Sequence, residues 1–136
     1  MNARWLRLVA LLGVSVALVT CGKSSSPTEP SCPNIAGSWS GSYTNSCGGH
    51  AAGVVGITQQ GCSFTFVGMP PISTGTLNGN VGTFSGSQPA PCANNGSGTF
   101  TVNGNMITGS LTGTATSTGS GCCPLGPFTG AFTLTR

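Results

Sequence analysis

His50 lies three residues after Cys47, the one place where the chain sets its single imidazole beside a thiol. A Cys–His pair could act as a nucleophile and its base, but only with a reduced thiol of lowered pKa. Seven cysteines in 136 residues argue against that state. Such a density belongs to an oxidising compartment, where cysteines pair. His50 then reads as a polar loop residue. Zinc held by His50 with Cys47, Cys122 or Cys123 would lack any CxxC spacing. The remaining polar chemistry is thinner still. Four residues are Lys or Arg and one is acidic, so 4% of the chain is charged. From Cys32 to Arg136 there is no Asp, Glu or Lys. Carboxylate acid–base catalysis, carboxylate metal sites and a basic nucleic-acid footprint are excluded. The chain reads as a non-enzyme, with no metal, no cofactor and no nucleic-acid partner.

Three segments would carry and position what remains. Residues 1–7, MNARWLR, hold two Arg and no acid, and the uncharged run LVALLGVSVALVT occupies 8–20. A largely apolar run of 13 residues is short for a transmembrane helix, which needs about 20, and suits the core of a secretory signal. Residues 1–20 are therefore read as a signal peptide. Residues 21–31 form a Ser/Pro-rich linker starting at Cys21, and 32–136 form one domain.

At Leu18-Val19-Thr20-Cys21 the chain resembles bacterial lipoproteins, whose signal ends in such a lipobox. Thr20 departs from the Gly, Ala or Ser usual before the Cys. The resemblance implies acylation of Cys21 as the first mature residue, which leaves six cysteines, an even number that can pair completely. Several acyl chains, at about 0.8 kcal/mol per buried CH₂, give a stable membrane anchor. Gly22 stands where an inner-membrane lipoprotein would carry Asp. By that resemblance the protein belongs to the bacterial cell envelope, on the outer membrane. In that setting the sequon-like Asn95-Gly96-Ser97 is accidental.

The domain shows no helical period. Apolar residues alternate with Ser, Thr and Asn, the pattern of half-buried strands. Eight strands are predicted over 37–44, 52–59, 62–67, 74–78, 81–87, 98–102, 106–112 and 128–135. Their core-side residues are Trp39, Tyr43, Val55, Ile57, Phe64, Phe66, Leu77, Phe84, Phe100, Val102, Ile107, Leu111, Phe132 and Leu134. Threonines fill the outer face, which suits a β-branched residue. Gln60-Gly61, Gly79-Asn80 and Asn103-Gly104-Asn105 read as tight turns. Longer loops at 45–51, 68–73, 88–97 and 115–127 alternate with them, so the two kinds of connection sit at opposite ends. The expected fold is all-β, a small antiparallel up-and-down barrel of about eight strands stapled by disulfides. A β-sandwich is the alternative.

Gly37-Ser38-Trp39 on the first strand, the meander, and Arg136 at its end resemble the calycins, the lipocalin and avidin-like barrels. That resemblance implies a basic residue closing the barrel over the tryptophan, here Arg136 on Trp39. The chain is shorter than a lipocalin and has no C-terminal helix.

Strand parity restricts the disulfides. Cys32 and Cys62 fall at the tight-turn end, whereas Cys47, Cys92, Cys122 and Cys123 fall at the long-loop end. A bridge needs Cα atoms within about 7 Å, so Cys32 pairs with Cys62. Cys47 and Cys92 each reach one of the vicinal pair, with Cys47–Cys123 and Cys92–Cys122 preferred over the exchanged pairing. The aromatics Trp39, Tyr43, Phe64, Phe66, Phe84, Phe100 and Phe132 either fill the barrel or line a ligand pocket. The apolar loop Gly68-Met69-Pro70-Pro71-Ile72 plugs the barrel, contacts a partner or packs under its neighbours. The expected function is a lipid-anchored envelope module binding a small apolar molecule or an envelope protein at the long-loop end. A structural or adhesive module acting through its Ser/Thr surface is the second expectation.

Overall fold

A computed structural model describes residues 31–68 and 72–136. Cys21, the signal segment, all of the linker but Ser31, and Met69-Pro70-Pro71 lie outside the described residues. Eight antiparallel strands run β1 (Gly37–Asn45), β2 (His50–Gln60), β3 (Ser63–Val67), β4 (Ile72–Asn78), β5 (Val81–Gln88), β6 (Asn94–Asn103), β7 (Met106–Ala115) and β8 (Gly126–Thr135). Each pairs with its sequence neighbour, and β1 pairs with β8, so the sheet closes into an up-and-down barrel. The all-β barrel stands as expected and the sandwich does not. Closure leaves no edge strand, in a domain with no lysines to guard one.

The three tight turns carry the register. Gly61, Gly79 and Gly104 take φ of 59°, 56° and 59° as the first residue of each two-residue connection. Turns of this handedness match the twist of the flanking strands. At the opposite end the strands run further than the apolar alternation indicated. β6 starts at Asn94, four residues early, and β7 continues to Ala115. The pairs Asn95↔Thr114, Gly96↔Gly113 and Ser97↔Thr112 show why. These ends put polar residues outside and glycine inside, so they pair without any hydrophobic signal.

Most of the expected core is buried: Trp39, Val55, Ile57, Phe64, Phe66, Leu77, Phe84, Phe100, Val102, Ile107 and Leu134. Tyr43, Leu111 and Phe132 are half-buried instead. Ile35 and Ala115, outside the predicted strands, join the core, as does Phe128, the first residue of the last predicted strand.

Rings and glycines alternate around the lower barrel. Cα partners run Gly75↔Phe84↔Gly98↔Leu111↔Gly130, and in the next layer Leu77↔Gly82↔Phe100↔Gly109↔Phe132. Each glycine is the floor on which a ring lies. A Cβ on Gly75 would stand 2.6 Å from Cζ of Phe64, and one on Gly98 2.6 Å from Cζ of Phe84. The rings meet edge to face, as in Phe64–Phe100 at 5.2 Å and Phe66–Phe84 at 5.6 Å. This is the geometry that aromatic quadrupoles prefer.

Candidate ligand-binding site

The tight-turn end is sealed by residues 31–36, which fold across it. Ile35, Trp39 and Ile107 are 0% exposed. The Trp39 Nε1–H donates to the Ile35 carbonyl at 2.8 Å, and the Ile35 N–H donates to Gln59 Oε1 at 2.7 Å. Gln59 Nε2 returns bonds to the Pro33 and Gly61 carbonyls. The Arg136 guanidinium lies 4.5 Å from the Trp39 ring centroid and donates to the Asn34 and Ala36 carbonyls. Trp39 and Arg136 are thus in contact. The Cys32–Cys62 disulfide fastens the same segment to the β2–β3 turn.

The long-loop end is open. A cavity of about 320 Å³ enters the barrel there, at the low end of the range small-molecule sites occupy. Its size follows from four neighbouring inward positions near the mouth. Ser73↔Gly86, Gly86↔Gly96 and Gly96↔Gly113 are Cα partners across β4, β5, β6 and β7. Lower layers alternate ring and glycine; this one is small four times running. The Phe128 ring covers Gly113, while Gly96 meets only backbone, so space remains between them.

Below this belt Phe66, Phe84 and Phe132 form the apolar wall, with Val55, Leu111 and Leu134 beside them. Tyr43 completes the expected aromatic lining, and Phe128 is an addition that the strand reading missed. Phe128 lay at the very start of a predicted strand, where alternation has no preceding residue to establish it. Trp39, Phe64 and Phe100 do not line the cavity. They belong to the solid half, where Ile35 and the alternating layers leave no room. The seven expected aromatics therefore divide, four to the cavity and three to the packed end, and Phe128 is a fifth at the cavity.

Two disulfides frame the mouth. Cys47–Cys123 and Cys92–Cys122 tie residues 116–125 to the loops on either side, in the pairing preferred from strand parity. Hydrogen bonds reinforce each tie. The Ala93 N–H donates to Ser117 Oγ, Ser117 Oγ to the Pro91 carbonyl, and the Thr129 N–H to Ser46 Oγ. Cys47, being bonded to Cys123, brings no thiol to His50. His50 is exposed and opens β2 opposite Thr44.

The rim amides have fixed orientations. Asn45 Oδ1 accepts the Cys47 and Gly49 N–H groups at 3.0 and 2.8 Å. Asn94 Nδ2 donates to the Cys92 carbonyl and to Gln88 Oε1. Backbone partners decide both arrangements, because a backbone N–H only donates and a carbonyl only accepts. The apolar wall is thus capped by a ring of neutral amides and cystines, with no charged side chain among the described residues that line the cavity. The chain matches no protein-family description, no curated protein and no solved structure.

Proposed function

We propose that the protein is a non-enzymatic lipoprotein of the bacterial cell envelope whose barrel binds a small apolar molecule at the long-loop end. Cys21 carries the lipid, the linker to residue 31 spaces the domain from the outer membrane, and the barrel resembles a small calycin. The observation that carries the binding reading is the cavity of about 320 Å³, walled by Phe66, Phe84 and Phe132 and open between two disulfide-tied loops. A pocket maintained by a belt of glycines in an otherwise ring-packed barrel is a costly feature for a purely structural module. Native mass spectrometry of the protein extracted from membranes tests both halves. Mass added at Cys21 and a co-purifying apolar ligand are expected. Release of a Cys21→Ser variant from membranes would accompany them; unchanged retention refutes the anchor.

A second reading, an adhesive surface module, has its own observation. The outside of the β4–β7 wall carries a shallow groove lined by Thr74, Ser85, Ser87, Asn95, Ser97, Thr112 and Thr114. Binding that survives a blocked cavity mouth but is lost on altering these hydroxyls would favour it.

A further inference from the structure

We infer that the cavity selects an uncharged molecule with an apolar body and one hydrogen-bond acceptor, a ketone, ester or amide carbonyl, held at the rim by Tyr43, Asn45 and Gln88. This rests on the ligand-binding reading above and narrows it to a chemical class.

Asn45 Oδ1 is taken by two backbone N–H groups, so its free group is the Nδ2 amide. Gln88 Oε1 is taken by Asn94 Nδ2, which the Cys92 carbonyl holds in that orientation. The group left on Gln88 is therefore Nε2, again a donor. The Tyr43 hydroxyl has no hydrogen-bond partner among the described residues. All three side chains line the cavity and all three are half-buried. Asn94 faces the same space with both of its N–H groups used, leaving its Oδ1 as an acceptor. The Tyr43 hydroxyl can also accept and Gln88 Oε1 keeps one lone pair, but the two amide N–H₂ groups of Asn45 and Gln88 can only donate, and they ask for an acceptor on the ligand.

Charge makes the second selection. No Lys and no acid occurs from Cys32 onward, and the one Arg, Arg136, lies at the sealed end on Trp39. A carboxylate would enter an apolar cavity with no cation to meet it, which is strongly unfavourable. A neutral carbonyl pays far less. Its apolar body would lie on the edges and faces of Phe66, Phe84 and Phe132.

Three probes of one shape separate these claims: naphthalene, 2-acetonaphthone and 2-naphthoate. Equilibrium dialysis against the mature chain carrying Cys21→Ser, which bears no acyl groups, gives their affinities. The ketone should bind about 3–10-fold tighter than naphthalene, the yield of one or two net hydrogen bonds. Naphthoate should bind at least about tenfold weaker than the ketone. Gln88→Glu and Asn45→Asp keep the oxygen that the neighbouring groups use and replace the donor by an acceptor. Each should bring the ketone down to the affinity of naphthalene, and Tyr43→Phe should weaken it about 2–5-fold. Naphthalene binding as tightly as the ketone, naphthoate binding as tightly as either, or ketone affinity unmoved by the variants would overturn the rim assignment while leaving the cavity reading intact. Failure of all three probes to bind would overturn the cavity reading itself.

Discussion

At the tight-turn end, three two-residue turns, a crossing segment and the pair Trp39–Arg136 leave Ile35, Trp39 and Ile107 with no exposed surface. At the long-loop end, Ser73, Gly86, Gly96 and Gly113 stand side by side at the cavity. Both ends follow the same strand alternation, and both carry disulfides. They differ in what occupies the inward positions. Large and small residues alternate around the packed layers, so each ring covers a glycine. Near the mouth Phe128 covers Gly113, but Gly96 meets only backbone. An eight-stranded barrel is just wide enough for side chains to fill, and here half of it is filled. Stability and binding are thereby assigned to different ends of one short sheet.

The strongest way to break that comparison is to remove the key residue of each end. Trp39→Ala deletes a fully buried ring together with its bond to the Ile35 carbonyl, and should cost about 3–5 kcal/mol. Tyr43→Ala at the open end removes a half-buried ring that faces a cavity, and should cost less than half as much. Urea midpoints of the two variants decide the matter. Equal losses would mean that the mouth is as firmly packed as the base.

The disulfides come next. Cys47–Cys123 closes 76 residues and Cys32–Cys62 closes 30, so removing either should cost about 2–4 kcal/mol, with the longer loop nearer the upper value. Their consequences should differ in kind. The Cys47→Ser, Cys123→Ser double variant frees residues 116–125 on one side and should lose ligand affinity. The Cys32→Ser, Cys62→Ser double variant should lose stability alone. Denaturation curves and probe affinities measured on the same samples check both.

Glycines sharpen the contrast at smaller cost. A Cβ at Gly82 would press into the Phe100 ring, so Gly82→Ala should destabilise by about 1–3 kcal/mol. A Cβ at Gly53, on β2 toward the open end, meets nothing within 4 Å. Gly53→Ala should be neutral or stabilise by about 0.4–1 kcal/mol, through the lower entropy of the unfolded chain. Thermal melts of the pair are sufficient to tell.

How far these features can be read in the chain depends on which residues speak. Phe64, Phe66, Phe84 and Phe100 alternate with threonine or glycine, and that alone gives strands, faces and parity. Parity in turn yields the two-ended barrel and Cys32–Cys62, and ties Cys47 and Cys92 to the vicinal pair while leaving both pairings there open. Ile35 escapes because it sits between Asn34 and Ala36 in an irregular segment with no period. The cavity escapes for a different reason: its signal is an absence. Ser73, Gly86, Gly96 and Gly113 all occupy inward positions, yet a small residue carries no hydrophobic mark. Only the register shows that the four are neighbours. Cavities in such barrels are legible when inward positions are compared across strands rather than along them.

The smallest expected effect is the response to acid, and it applies to both ends at once. Acid unfolding usually proceeds because carboxylates kept charged by the fold take up protons when it opens. The unfolded state then binds more protons, and stability falls as pH falls. From Cys32 to Arg136 there is no Asp or Glu side chain to supply that difference. The six cysteines are bonded and do not titrate. The only imidazole, His50, is exposed at the start of β2 and has no acid in the domain to pair with. Contacts at the sealed end join a permanently charged guanidinium to carbonyls and an indole, while those at the mouth join amides, hydroxyls and backbone. None of these changes protonation between pH 7 and pH 3. Unfolding free energy should therefore stay within about 1 kcal/mol across that range, as urea titrations followed by far-UV circular dichroism at pH 7, 5 and 3 can measure. Probe affinity should be equally flat. A fall in affinity with stability unchanged would locate a proton-linked group at the mouth and would separate the two ends by chemistry as well as by packing.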